Sequence, residues 1–187
     1  MSPFVMDLPP APLPAMVVPA TSSATTRGEA PAGERTLVSS AFGTLVVPEG
    51  AMMRFVAPLW GFPDHDAFAL LPAAREGLWW LLSATDPGLT FLLADPFVTD
   101  PSYALDISDS DERTLGLESP TEALALVLVA FPSSADEGIT ANFRAPIIFN
   151  LAERTVLQVV SRNDSHDMRH PVELAAYPLQ EGGLSLD

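Results

Sequence analysis

No cysteine occurs in the sequence, which excludes disulfides, thiolate metal centres and cysteine nucleophiles. Lysine is absent as well. The 9 cationic residues are all arginine, set against 24 aspartates and glutamates for a formal charge of -15. A chain this acidic lacks the clustered cations that grip a phosphate backbone, so direct nucleic-acid binding is not expected. Its charge suits protein partners, basic ones above all, and it also serves plain solubility. No uninterrupted apolar run reaches the ~18 residues of a membrane helix. The opening MSPFVMDLPPAPLPAMVVPA has no basic stretch and is broken by proline, unlike an export signal. A soluble, cytoplasmic protein without membrane association is the expectation. Also missing are a G-x-S-x-G elbow, a phosphate-binding Walker loop and a G-x-G-x-x-G fingerprint.

What is present falls into three stretches. Residues 1–35 are rich in Pro, Ala, Ser and Thr, and Pro3, Pro9, Pro10, Pro12, Pro14 and Pro19 oppose helix and central strand. A disordered extension is expected there, with a polyproline-type recognition tail as the alternative. From residue 36 to 178 short apolar runs alternate with turn residues: FGTLVVP, MMRFVAP, AFALLP, GLWWLLSATDPG, LTFLLADP, ALALVLVAFP, ITANFRAPIIFN, RTVLQVVSRND and PVELAAY. Runs of four to eight residues favour strands, and the nearly continuous ones suit strands buried on both sides or closing a small barrel. SDSDERTLGL, residues 108–117, predicts a helix capped by Ser108 or Asp109 and ended by Gly116. Ser119-Pro120 predicts a second short turn. Residues 179–187 are expected to be a flexible tail. The sum is an all-β, mostly antiparallel single domain of about eight to ten strands with one or two short helices.

HDMRH, residues 166–170, superficially matches the helical zinc-protease signature. That signature needs a helix to bring two imidazoles to one ion. Pro171 pushes the preceding residue toward extended geometry, where residues four apart lie about 13 Å from each other. No metal site is expected there, nor at Asp64-His65-Asp66, which follows turn-forming Gly61 and Pro63. No histidine among His65, His166 and His170 sits in a catalytic motif. The carboxylates Asp95, Asp100, Asp106, Asp109, Asp111, Glu112, Glu118 and Glu122 are opposed only by Arg113. They form either a solvated, helix-capping face or an electronegative protein-binding patch. Alternation in a strand aims Trp79 and Trp80 at opposite faces, one into the core and the other toward an edge or interface.

Order and spacing of these pieces add a further indication. FGTLVVPEG, Phe55, the Gly61-Phe62 pair, SATDPGLTFLLADPF, DISDSDERTLGLESP, ITANFRAPIIFN and RHP together resemble the flagellar assembly factor FliW family from about Phe42 to Val172. His166 stands where the family pattern has an aromatic residue, Phe143 where it has leucine, and the N-terminal extension lies outside the pattern. The resemblance implies a compact, β-barrel-like, non-enzymatic protein without a cofactor or metal and with two partners, flagellin and the RNA-binding translational repressor CsrA. It implies that flagellin occupies the protein until secreted, after which the freed protein antagonises CsrA away from the RNA surface. An alternative is a chaperone-like flagellin binder without CsrA control. Candidate binding residues are Asp106, Asp109, Asp111 and Glu112 for CsrA, with Asn142, Phe143 and Arg144 as a partner-facing motif and Arg169 and His170 beside them. Asn142 has a second reading as a buried amide at a bulge near Pro146, and Arg169 as half of a structural ion pair.

Overall fold

The computed structural model describes residues 18–19, 33–118, 123–134, 137–180 and 182–185. Its centre is an antiparallel meander of β4 (Met52–Phe55), β5 (Ala67–Pro72), β6 (Leu78–Ser83), β7 (Thr90–Ala94) and β8 (Ala123–Ala130). Strand β8 continues onto β10 (Ile147–Asn150), which forms a hairpin with β11 (Thr155–Gln158). Strand β11 then runs parallel to β4, Val156 opposite Phe55, and closes the sheet into a barrel. The far end of β8 also carries β9 (Thr140–Ala141) and β12 (His170–Pro171).

Alternation along each strand divides the apolar residues into two cores. Phe55, Phe68, Leu81, Leu93, Leu126, Phe149 and Val156, one from each barrel strand, fill the interior. Phe55 meets Phe68 edge to face at 5.3 Å, and each such buried ring stabilises the fold by roughly 1.5–3 kcal/mol. Leu59 and Phe62, on the β4–β5 loop, join this core, Phe62 packing edge to face on Phe91 at 5.0 Å. The outward residues form a second core under the hairpin of β2 (Glu34–Ser39) and β3 (Gly43–Pro48), two helices and the C-terminal segment. Trp79 and Trp80 do face opposite ways, into the inner and outer cores respectively. Neither is an edge residue, because the hairpin and C-terminal segment cover the wall outside Trp80.

Helix α2 (Asp109–Leu115) forms as the sequence predicts, with Ser108 as N-cap and Gly116 in the left-handed region at its end. Helix α1 (Pro96–Thr99) was not anticipated, although Asp95-Pro96 is a readable start: the Asp95 carboxylate accepts from the Phe97 N–H and proline occupies the first helical position. The expected turn at Ser119-Pro120 lies outside the described residues. PVELAAY adds only Pro171 to a strand and otherwise forms a 3-10 turn at Leu174–Ala176.

Described residues of both terminal stretches pair with the rest of the fold. Val18–Pro19, within the stretch expected to lack regular structure, form β1 against Val46 and Leu45; it is an edge strand, the sheet position that tolerates proline. Within the stretch expected to be a flexible tail, Leu184 exchanges bonds with Pro72 and Ala74, and Trp80 Nε1 donates to the Leu184 carbonyl at 3.0 Å. Just before it, fully buried Tyr177 donates its hydroxyl to the Asp95 carbonyl at 2.9 Å, which ties this segment to α1.

Candidate protein-binding surface

The acidic segment is rigidly mounted. Ser108 Oγ accepts from the Asp111 N–H and donates to the Asp111 carboxylate, and Leu115 is buried against the barrel. At the other end, Asn150 at the tip of β10 donates its amide to the carbonyls of Leu115 and Gly116, and its Oδ1 accepts from the N–H groups of Ala152 and Glu153. One fully buried amide thus caps a helix and closes the β10–β11 turn, leaving no polar atom of its own unsatisfied. The helix consequently displays Asp109 outward with Asp111 and Glu112 half-buried beside it. Among the described residues, the ion pairs engage Glu49, Asp66, Asp106, Glu137 and Asp164 but none of these three helical acids.

Asp106, just before α2, contacts the loop after β11: its carbonyl accepts from the Arg162 N–H at 2.8 Å and its carboxylate lies 3.9 Å from the Arg162 guanidinium. That loop is also clasped by Arg144, which donates to the Asn163 carbonyl and pairs with Asp164 at 2.8 Å. The fold therefore brings Asp106 and the 142–144 motif to one loop. Within that motif Phe143 faces inward, while Asn142 and Arg144 are half-buried. Phe143 is 1% exposed, stacked on His170 with ring centroids 4.1 Å apart, and Asn142 Oδ1 accepts from the Ala145 N–H to hold the turn before β10. Phe143 is core because it fills the layer between Tyr103 and His170. Arg169 lies apart, exposed and 3.8 Å from Glu137 in a loose surface pair.

HDMRH is not helical, and only its last residue enters a strand, so the geometry required for a shared zinc is absent. It is not extended throughout either, since turns precede and follow His166. Its two rings stack on separate partners, His166 on Tyr103 at 4.4 Å and His170 on Phe143. His166 bonds on both nitrogens: Nδ1 to Ser161 Oγ at 2.7 Å and Nε2 to Asn163 Nδ2 at 3.2 Å. Asn163 Oδ1 already accepts from Ser165, so its amide nitrogen must be the donor and Nε2 must be unprotonated. Burial, with Arg144 and His170 adding to it, lowers the His166 pKa, and Asp100 partly offsets them. Hydrogen bonds from Ser102, helped by His170 and His166, hold the Asp100 carboxyl below its usual range.

Sequence reasoning missed Trp60, which is 55% exposed between two core residues of its loop, and Gln158, which links it to the motif. Gln158 Oε1 accepts from the Trp60 N–H while its Nε2 donates to the Ala145 carbonyl. Glycine, proline and acids around LWGFPDHD marked that loop as a turn, and nothing local distinguishes a presented tryptophan from a buried one.

A closed seven-stranded barrel, dressed with an outer hairpin and an acidic helix and lacking a three-donor metal cluster among the described residues, defines a small β-barrel domain whose distinctive features lie on its surface. The chain belongs to the FliW family, whose model, described as "FliW protein", matches residues 36–172. It is 33% identical over 141 residues to the flagellar assembly factor FliW of Treponema pallidum (strain Nichols), covering 74% of this chain and 93% of that protein. It is 31% identical over 134 residues to the same factor of Treponema denticola, covering 72% and 90%. A crystal structure of the flagellar assembly factor FliW superposes with a TM-score of 0.66 at 26% identity, covering 73% of this chain and 96% of that one.

Proposed function

We propose that this chain is a non-enzymatic flagellar assembly factor that binds flagellin in the cytoplasm and, once released, antagonises the translational repressor CsrA. Family membership across the whole barrel and its acidic helix carries the reading. The electrostatics support its CsrA half. Asp106, Asp109, Asp111 and Glu112 sit on one short, anchored segment, and a bound protein of charge -15 lowers the potential for RNA within about a Debye length, roughly 8 Å at physiological salt. Phe143 and Asn142 hold the turn before β10 in shape, Arg144 clasps the loop after β11, and exposed Arg169 with half-buried His170 beside it forms a separate candidate contact.

Calorimetric titration with CsrA of the same organism, with and without its target RNA, tests the proposal. Binding that releases RNA, and does so less effectively as salt rises, is the expected result. Flagellin binding without any CsrA binding would reduce the protein to a flagellin chaperone, and binding to neither would overturn the proposal.

A further inference from the structure

An anchored turn holds Trp60 out into solvent. The indole belongs to the tip of the Leu59–Phe62 turn, closed by the Phe62 N–H on the Leu59 carbonyl at 2.8 Å, with Gly61 in the left-handed region. Leu59 is buried in the inner core and Phe62 packs on Phe91, so both flanks of the turn are fixed. The Trp60 backbone is held as well, because buried Gln158 accepts from its N–H and donates to the Ala145 carbonyl. Only the ring is left free, 55% exposed. A buried amide that fixes the backbone of an exposed ring pre-organises that ring for contact.

Its surroundings are apolar and acidic. Beyond β11 the hairpin ladder continues, with the Val159 N–H on the Pro146 carbonyl and the Ser161 N–H on the Arg144 carbonyl, and Leu157 and Val159 turn into the outer core. Gln158 and Val160 therefore face the other way, which puts exposed Val160 on the side where Gln158 reaches Trp60. Exposed Val56, where β4 leaves its parallel seam with β11, leads into the same loop. Further along that loop stand exposed Asp64 and Asp66, and a contact of His65 Nδ1 with Thr85 Oγ1 at 3.4 Å ties it to the turn that carries exposed Asp86. On the adjoining segments Arg54 pairs with Asp66, Arg144 with Asp164 and Arg162 with Asp106; none of the ion pairs among the described residues involves Asp64 or Asp86.

We infer that Trp60 anchors a second protein-binding surface, which takes a basic segment of another protein with an arginine set beside an aliphatic residue. Indole is the best aromatic partner for a cation, and a planar guanidinium stacks on its face while Val160 and Val56 cover the aliphatic neighbour. Charge chooses the occupant: Asp64 and Asp86 favour a cation, and at a formal charge of -15 a second copy of the chain or an anionic bilayer is repelled. This surface is distinct from the acidic helix. Asn150 at one end of β10 caps α2, whereas Ala145, which holds Gln158, precedes the other end, about 16 Å away at 3.3 Å per residue. The inference goes beyond the partners proposed above and stands whether or not either of them binds α2.

The test uses the full chain, in which Trp79 and Trp80 are buried, so that acrylamide quenching of its fluorescence reads Trp60. The probe is the synthetic peptide Ser-Arg-Leu-Ser-Arg-Leu-Ser, with Ser-Arg-Ser-Ser-Arg-Ser-Ser as the control for charge alone. The first peptide is expected to shield the exposed indole from acrylamide, and the control to bind at least fivefold more weakly. In anisotropy titrations with labelled first peptide, Trp60→Ser should lose at least fivefold in affinity and Asp64→Asn about twofold at low salt. Equal binding of the two peptides would reduce the effect to charge attraction and overturn the inference, as would a folded Trp60→Ser variant that binds like the native chain. No shielding at millimolar peptide would also overturn it, and shielding instead by phosphatidylcholine vesicles or by a higher concentration of the chain itself would reassign Trp60 to a lipid surface or a self-contact.

Discussion

Asn150 and His166 show how much a single side chain can hold in place. Replacing Asn150 by Leu removes four hydrogen bonds, the one to the Leu115 carbonyl buried and those with Gly116, Ala152 and Glu153 partly so, and puts an apolar side chain against these polar groups, at a cost of about 3 kcal/mol. For a chain of this size that is a fall of roughly 6–12 °C in the thermal midpoint, readable by circular dichroism; Asn150→Asp, which keeps the acceptors, should fall in between. The His166 contribution depends on pH. Its pKa is lowered from 6.5 on folding, so the unfolded chain binds the extra proton first, and the stability from neutral His166 is complete above that value and lost as pH falls below it. Urea midpoints of the native chain should therefore decline as pH falls below 6.5, whereas His166→Phe, which keeps a ring on Tyr103, should show a flatter profile from a lower plateau. Of the two asparagines in TANFRAPIIFN, Asn142 stands out in the sequence and Asn150 does not. The capping work of Asn150 is hidden because the carbonyls it serves arrive from another element: that of Leu115 belongs to a helix thirty-five residues earlier. Phe143 misled for the same reason, since its neighbours Tyr103 and His170 meet it through tertiary packing.

Elements whose signals are local were legible, and those held by distant partners were not. Helix α2 could be read from its ends because Ser108, the acids behind it and Gly116 act within one or two turns. The strands announced themselves through apolar runs of the right length. The C-terminal strap, by contrast, reads as a polar, glycine-rich tail, and its bonds go to Pro72 and Ala74 about a hundred residues earlier. Gly183 marks how closely it docks: a Cβ there would meet the Ala73 carbonyl, which is backbone and has little room to yield. Gly183→Ala should thus lift the strap without opening the barrel. Faster hydrogen exchange at Ala74 and Leu184, with protection across β5 and β6 unchanged, is the expected pattern, and uniform deprotection would show that the strap is integral to the barrel.

Across the whole molecule the charge balance is more one-sided than the composition alone conveys. Eight of the nine arginines lie in described residues, and each is bonded within the chain. Five of them, Arg35, Arg54, Arg144, Arg162 and Arg169, pair with carboxylates, while Arg75, Arg113 and Arg154 donate to backbone carbonyls. The cations are occupied and the acids of α2 are in none of the ion pairs among the described residues, so the double variant Asp109→Asn, Glu112→Gln should weaken CsrA antagonism several-fold at low salt. It should lose most of that difference at 0.5 M salt, where screening shortens electrostatic reach to roughly 4 Å. Competition assays with labelled RNA at the two salt concentrations would measure it, and an equal deficit at both would assign these residues a contact role instead of a field effect. The parallel seam between β4 and β11 has a different bearing, on how the molecule is made. Val156 meets Phe55 only after about a hundred intervening residues have been synthesised, so the barrel cannot close until nearly all of the domain has left the ribosome. Until then the meander is an open sheet with exposed apolar edges, a state that folds in milliseconds to seconds and is prone to aggregate. A nascent copy of this protein is thus itself a client for whatever guards unfinished chains, for as long as its last hairpin is missing.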